Sequence, residues 1–280
     1  MAGSKGFETT RQTIETAVQN VLQGEEFRGI KTGYSDLDSK ITGLGAGELI
    51  IIGGRPSMGK TAFALNLVDK IAVTDNKSCL YFSLEDSAQR LVERLIREIS
   101  GVELPKHLSD TEKKKIMSAS ETLQETRLII DDKAVSIEQI EETARNCAVE
   151  STLDFIVVDY LQLVSNQDSN CLQSTISCVV RKLKTLAKEL DLPVVVLSQL
   201  NRTVEKLPDH RPRLIDLKGS SDIEDIADKV LLLYRDEYYY YESERRGIME
   251  VIVAKNITGY RTCVEVAYMA SNGKIYNIER

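Results

Sequence analysis

The sequence contains no Cys-x-x-Cys pair, and its two histidines, His107 and His210, stand far apart in the chain. The five cysteines, at positions 79, 147, 171, 178 and 263, are scattered, so neither a zinc site nor a disulfide framework is expected, and a reduced cytosolic setting fits better. No apolar run reaches the roughly 18 to 20 residues that a membrane span requires, and no charged start followed by an apolar stretch opens the chain. The reading is therefore of a soluble, cytoplasmic protein with no membrane partner. The first residues, MAGSKG, have the small, polar composition of an expression scar or a truncated start and carry no structural weight.

Net charge is −7, which argues against a nucleic-acid partner, because phosphate contacts require Lys and Arg. The average conceals a gradient. Residues 181–218 carry nine Lys or Arg against five Asp or Glu, whereas 219–250 carry four against nine. From charge alone this is equally a solvated helix face followed by an acidic loop.

With 280 residues, 42% of them apolar, the chain can bury one large α/β core or two small ones without cross-links. Ile14, Ala17, Val18, Val21 and Leu22 recur at helical spacing, so an amphipathic helix is predicted over 10–23, followed by a looser linker, QGEEFRGIKTGYSDLD. Its apolar stripe must cover something, on its own domain or on a neighbour. From Leu49 onward the short apolar strands LIII, CLYFS, LII, FIVVD, VVVLS and VLLLY alternate with helical stretches at 61–73, 88–100, 137–150 and 172–190. A capping box of Ser136 and Gln139 opens the third of these helices. Near-continuous apolar strands between helices predict an α/β fold with a mainly parallel central sheet and helices on both faces. After Gly247 the pattern becomes IMEVIVAKN and RTCVEVAYM around Thr258-Gly259, a C-terminal β-hairpin.

The stretch GRPSMGKT at 54–61 fits the G-x-x-x-x-G-K-[ST] P-loop pattern in its proper setting, after a strand and before a helix. Such a loop cradles the phosphates of ATP on backbone amides, here between Gly54 and Ala62 with Ser57, Met58 and Gly59 inside it. Lys60 reaches the β and γ oxygens, and the Thr61 hydroxyl ligates Mg²⁺. A metal-side carboxylate belongs at the end of a buried strand, and FIVVD supplies Asp159. Glu85 and Gln199 also follow strand ends, where parallel sheets present their ligand crevice. Glu85 suits the activation of water, and Gln199 suits the sensing of a γ-phosphate.

Together, TGYSDLD, GRPSMGKTAFALN, YFSLEDSAQRLVERL, VVDYLQL, LAKELDLPVVVLSQLNR and LYRDEYY resemble the motor domain of the bacterial replicative DNA helicases, the DnaB type of RecA-fold hexamer, from about residue 32 to the last strand. The resemblance implies a RecA-like P-loop NTPase that forms a homo-hexameric ring around single-stranded DNA. It implies 5′ to 3′ translocation driven by ATP hydrolysis, and unwinding of duplex at a replication fork. By the same resemblance Lys60 and Thr61 hold phosphates and Mg²⁺, Glu85 activates the attacking water, Asp159 supports the metal, and Gln199 links the γ-phosphate to DNA-contacting loops. A primase and a helicase loader are the implied protein partners. A strand held in a channel by a few residues per subunit is compatible with an acidic exterior. Family members carry an N-terminal helical collar without counterpart here, so 1–28 reads as a leading segment with the linker helix that docks on the next subunit, and 29–280 as the motor domain.

The sequence departs from the family pattern in two places. The DNA-contacting loops correspond to 165–172 and 216–228, and in the second the usual Arg-Glu-Ser-Gly is replaced by Lys218, Gly219, Ser220 and Ser221. Lys218 meets a phosphate as a point charge without arginine's fork, or is a solvated loop lysine. Gly219 and Ser221 stand beside it as DNA-binding candidates. The family's hairpin usually reads A-K-Q-R-N-G, its Lys and Arg directed at the neighbour's γ-phosphate. Lys255 matches, but Ile257 stands at the arginine-finger position. With the turn centred on Thr258-Gly259, Asn256 lies opposite Arg261, and Arg261 can substitute; reliance on Lys255 alone and a differently paired hairpin remain open. The alternatives to a working helicase are a hydrolysis-weak relative, acting as a scaffold or mixed-ring subunit, and a recombinase-type ATPase on the same fold.

Overall fold

The computed structural model describes residues 29–103, 108–166, 175–257 and 259–278, with Ile14 and Val18 as isolated positions, and leaves out the side chain of Ser220. Most of the helix predicted over 10–23, and the 165–172 loop from residue 167 on, lie outside the described residues. Ile14 and Val18 are both helical and about half exposed.

Two short strands, β1 (Gly29–Ile30) and β2 (Leu44–Gly45), pair antiparallel beside the main sheet. That sheet contains β3 (Leu49–Gly54), β4 (Cys79–Ser83), β5 (Leu128–Asp131), β6 (Phe155–Asp159), β7 (Val194–Gln199), β8 (Lys229–Tyr234), β9 (Ile248–Asn256), β10 (Thr262–Tyr268) and β11 (Ile275–Asn277), in the spatial order β11-β10-β9-β8-β3-β7-β6-β4-β5. From β8 to β5 every pairing is parallel, and β9, β10 and β11 extend the sheet antiparallel.

The helices are α1 (Ser35–Ile41), α2 (Lys60–Val68), α3 (Ala88–Ser100), α4 (Asp110–Gln124), α5 (Ile137–Glu150), α6 (Thr175–Leu190), α7 (Ser220–Ile226) and α8 (Asp236–Tyr239). Helix α2 runs on into a wider π-helical turn, Asp69–Thr74. Helix α4 is absent from the sequence reading, although Ser109 and Glu112 form its capping box. The box expected from Ser136 and Gln139 is present at the start of α5.

Alternation along the strands builds two cores, because successive side chains point to opposite faces. Ile50, Ile52, Tyr81 and Val157 meet Tyr34 of the α1 segment, Phe63 of α2 and Leu95 of α3 on one face. Leu49, Ile51, Phe82 and Val158 meet Ile140 of α5 and Leu183 of α6 on the other. Both faces are covered, which is why the strands read as unbroken apolar runs. The α/β architecture is thus the one the sequence predicts.

The C-terminal hairpin is paired differently from the expectation. Thr262 stands opposite Val253, and the pairing of β10 with β9 does not extend beyond this. Lys255 and Asn256 pair instead with Val230 and Lys229 of β8, past a register shift at Val230/Leu231. Asn256 therefore does not face Arg261. The shift inserts one residue into β9 and keeps its end on β8, and the Asn256 amide donates to the Lys40 carbonyl at 3.1 Å, drawing the tip towards α1.

Cys79, Cys147 and Cys263 are free thiols, whereas Cys178 is disulfide-bonded, for which the scattered spacing gave no signal. Among the described residues no helix is long and apolar enough to cross a membrane, and no group of three or more His, Cys, Asp or Glu is placed to hold a metal ion.

Candidate active site

Four strand ends set the site. Gly54 pairs with Gln199 across β3 and β7, and Ser83 pairs with Asp159 across β4 and β6, so the carboxyl ends of adjacent parallel strands stop at one edge. Crossovers leave in different directions there, and the loops part to form a crevice. A cleft of about 360 Å³ occupies it, with Lys60, Thr61, Glu85, Asp159, Gln199 and Tyr268 on its walls.

The chain leaves β3 at Gly54 and enters α2 at Lys60 through a loop that ends on Gly59, at φ 97°. The positive φ favours glycine there, and a Cβ on Gly59 would also have to displace the end of the Met249 side chain, 2.8 Å away. Phe63 N–H donates to the Gly59 carbonyl at 2.8 Å, the first bond of the helix, and the preceding amides have no partner within it. Such an N-terminus binds anions. The Met58 side chain is buried, which leaves its backbone as the part that can serve a ligand.

Lys60 Nζ donates to the Arg55 carbonyl at 3.2 Å. Burial draws its ammonium below the usual range, against the pull of Asp159 and Glu85. Asp159, 3% exposed, accepts on the same Oδ2 from the Thr61 hydroxyl at 2.9 Å and from the Tyr81 hydroxyl at 2.8 Å. Burial pushes its carboxyl up, while these two bonds and the charges of Lys60 and Arg94 hold it down. Glu85 is exposed at the mouth of the cleft, just past β4. The Leu84 amide next to it donates to the Asp159 carbonyl at 2.8 Å, which binds the two strand ends together.

Gln199 is held from behind. Its backbone N–H donates to Gln162 Oε1 at 3.0 Å, and Gln162 Nε2 donates to Ser198 Oγ at 2.9 Å. From here a backbone bridge between Leu200 and Leu217, and a bond from Asn201 N–H to the Asp216 carbonyl at 2.7 Å, tie the end of β7 to the segment that carries Lys218. Lys218 and Ser221 are exposed and lie off the cleft wall. Gly219 takes φ 84° before α7, and a Cβ there would approach Ile176 to 2.9 Å.

The hairpin cations are also away from the chain's own cleft. Lys255 Nζ donates to the Glu224 and Asp225 carbonyls at the end of α7. Ile257, Tyr260 and Arg261 are exposed at the tip, Tyr260 at 89%, and Arg261 makes no ion pair among the described residues.

Several side chains here were missed in the sequence. Arg94 reaches the cleft and bonds Asp86 at 3.0 Å; Asp86, Arg90 and Arg94 at four-residue steps were a legible helical signal. Tyr81 is two residues before the strand end, with nothing local to mark it. Tyr268 comes from β10, far along the chain, and Arg235 lies over its ring at 4.3 Å while donating to the Ser57 carbonyl at 3.3 Å. Those contacts brace the P-loop from the antiparallel part of the sheet.

A family model described as the DnaB-like helicase C terminal domain matches residues 29–277. The replicative DNA helicase DnaB of Geobacillus stearothermophilus is 39% identical over 262 residues, covering 91% of this chain and 58% of that protein. The DnaB of Haemophilus influenzae is 41% identical over 242 residues, covering 82% and 51%. The chain thus spans little more than half the length of these relatives. Among solved structures, an isolated ATPase domain superposes with a TM-score of 0.91 at 31% identity, covering 98% of this chain and all of that one. A DnaB-like replicative helicase, described together with its interactions with primase, superposes at 0.87 and 31% identity, covering 98% and 68%.

Proposed function

This chain belongs to the DnaB-like helicase C-terminal domain family, and from that premise we propose that it is an ATP-driven motor that moves 5′ to 3′ on single-stranded DNA and so parts duplex at a replication fork. The observation that carries the proposal is the convergence of Lys60, Thr61, Glu85, Asp159 and Gln199 on one cleft beside the free amides of α2. In this reading residues 29–280 are the motor domain, 1–28 bring the linker helix, and six copies form a ring in the cytoplasm. A primase and a loader are its protein partners.

The loop amides and Lys60 hold the β- and γ-phosphates. Thr61 and Asp159 present only oxygen donors, the set a hard divalent ion prefers, so they fit Mg²⁺. Bound there, the ion would offset charge on the phosphate oxygens. Glu85 takes the proton of a water whose oxygen bonds the γ-phosphorus as the bond to the bridging oxygen breaks. Gln199, next in the chain to the Leu200–Leu217 bridge, carries the presence of the γ-phosphate to Lys218, Gly219 and Ser221, which with the 165–172 loop touch the DNA backbone. Lys255 and Arg261 act across the ring on the neighbour's nucleotide.

ATP turnover with and without single-stranded DNA tests the proposal. Lys60→Ala is expected to lose nucleotide binding. Glu85→Gln is expected to keep binding and lose about 100-fold or more in turnover. Tight ATP binding with negligible turnover in the unaltered chain, at ring-forming concentrations, would replace the motor with a binding scaffold.

A further inference from the structure

Strand β7 outruns its neighbour β6. The two pair from Ile156 opposite Val194 to Val158 opposite Val196, and β6 ends at Asp159, after which the chain turns away through a short 3-10 helix, Leu161–Leu163. Among the described residues no strand lies beside the end of β7 on that side, although β3 still pairs with Gln199 on the other. Gln162, in the 3-10 turn, fills the gap with its side chain. Its Oε1 accepts from the Gln199 backbone N–H at 3.0 Å, and its Nε2 donates to the Ser198 hydroxyl at 2.9 Å and, more weakly, to the Gln199 carbonyl at 3.5 Å. A primary amide carries the donor and the acceptor of a peptide group, so the side chain takes the place of a strand.

The turn that carries Gln162 is stiff and fixed at its far end. Leu163 N–H donates to the Tyr160 carbonyl at 3.1 Å and Val164 N–H to the Leu161 carbonyl at 3.2 Å. Leu161 and Val164 are buried in the core on the α5 and α6 face. Ser165 N–H then donates to the Val135 carbonyl, and the Ser165 carbonyl accepts from Ile137 N–H, both at 2.9 Å, which fastens the segment to the start of α5. A displacement at Gln162 is therefore passed along these three residues and not absorbed by them. Gln162 lies off the cleft wall, which Tyr160 and Gln199 line. It would touch no nucleotide, but it holds a residue that would.

With the cleft read as an ATP site and Gln199 as its γ-phosphate sensor, the reading on which this inference rests, a shift of Gln199 has two ways out. One is the Leu200–Leu217 bridge to the segment of Lys218. The other is Gln162, because a side chain bonded to both backbone groups of Gln199 moves with them. We propose that Gln162 is a positioning residue that carries the state of Gln199 to the segment after β6, as far as Ser165, where the first of the two proposed DNA-contacting loops begins. One sensor then addresses both loops, and DNA on either loop acts back on the nucleotide, since coupling between two binding sites is reciprocal.

ATP turnover of the full chain at ring-forming concentrations, with and without oligo-dT, tests the coupling, together with oligo-dT binding in Mg²⁺-ADP and in a slowly hydrolysed ATP analogue. Gln162→Leu, which keeps the size and removes the bonds, is expected to hold basal turnover and the KM for ATP within about threefold and to cut the stimulation by DNA about 10-fold. The preference of oligo-dT for one nucleotide state over the other is expected to shrink by a similar factor. Gln162→Glu, whose carboxylate still accepts from Gln199 N–H and can accept from the Ser198 hydroxyl, is expected to restore most of the stimulation. Equal loss of basal and stimulated turnover, or no change in either, reduces Gln162 to a cap on the strand end and overturns the proposal. If Gln162→Leu does not fold, Ser198→Ala, which removes only the Nε2 bond at 2.9 Å, decides the matter, with a fall in stimulation of about threefold expected. Absence of stimulation in the unaltered chain overturns the motor reading itself, and this proposal with it.

Discussion

Arg55, inside the P-loop, bonds Glu205 through Nε at 3.1 Å and the Leu200 carbonyl through Nη1 at 2.9 Å, while its own carbonyl accepts from Lys60. One residue thus touches both Lys60, the lysine proposed to hold the phosphates, and the segment that leads from Gln199 to Lys218. Glu205→Ala is expected to cost about 1 kcal/mol of stability, because the carboxylate is 46% exposed. The same change is expected to lower DNA-stimulated turnover several-fold while the KM for ATP stays within about twofold. Equal losses of basal and stimulated turnover would reduce the contact to a structural tie.

Tyr81 donates to the same Asp159 oxygen as Thr61. Tyr81→Phe removes one of the two hydrogen bonds that oppose the upward push of burial on this carboxyl, so the metal side of the site weakens. The Mg²⁺ concentration for half-maximal turnover is expected to rise about 10-fold, the lower end of what loss of a supporting hydrogen bond does to a metal site. An unchanged Mg²⁺ profile would exclude Asp159 from the metal.

Lys255 is tied to the end of α7, whereas Arg261 stands exposed beyond the last pair of β10 with β9. Arg261→Ala is therefore expected to lower turnover by about 10³-fold at ring-forming concentrations, with ATP binding retained, as loss of a trans-acting arginine does. Lys255→Ala is expected to cost less. Turnover that survives Arg261→Ala and fails in Lys255→Ala would assign the role to the lysine.

Glu98 makes stability depend on pH. Below its ordinary value of 4.5, folded and unfolded chains both hold the proton. Between that value and about 9 the unfolded chain releases it and the folded chain keeps it, so stability falls as pH rises and levels off above about 9. Glu98→Gln removes this loss, and its gain in Tm over the unaltered chain is expected to grow from pH 5 to pH 9. A gain independent of pH would show that the carboxyl is ionised in the folded state.

The sequence by itself determined the elements and the chemistry of the strand ends. Short, β-branched apolar runs such as LIII and FIVVD, set between helices, read as strands covered on both faces, and a Gly-rich loop between such a strand and a helix places Lys60 and Thr61 at the helix start. Asp159, Glu85 and Gln199 were legible because each stands at or just past a buried strand end. Helix α4 and Arg94 carried signals of the same local kind that went unread.

Only the tertiary structure could decide the rest, because it depends on register and on contacts between distant segments. A one-residue bulge in β9 moves Lys255 and Asn256 onto β8 and parts Asn256 from Arg261, and no local pattern encodes that choice. Tyr268 reaches the P-loop from the far end of the chain, beside Gly59. Glu98 reads in the sequence as an ordinary helix carboxylate. The packing of α3 against α2 and the β10–β11 turn takes it out of water, and desolvation then gives it a proton and an unpaired oxygen beside the cleft.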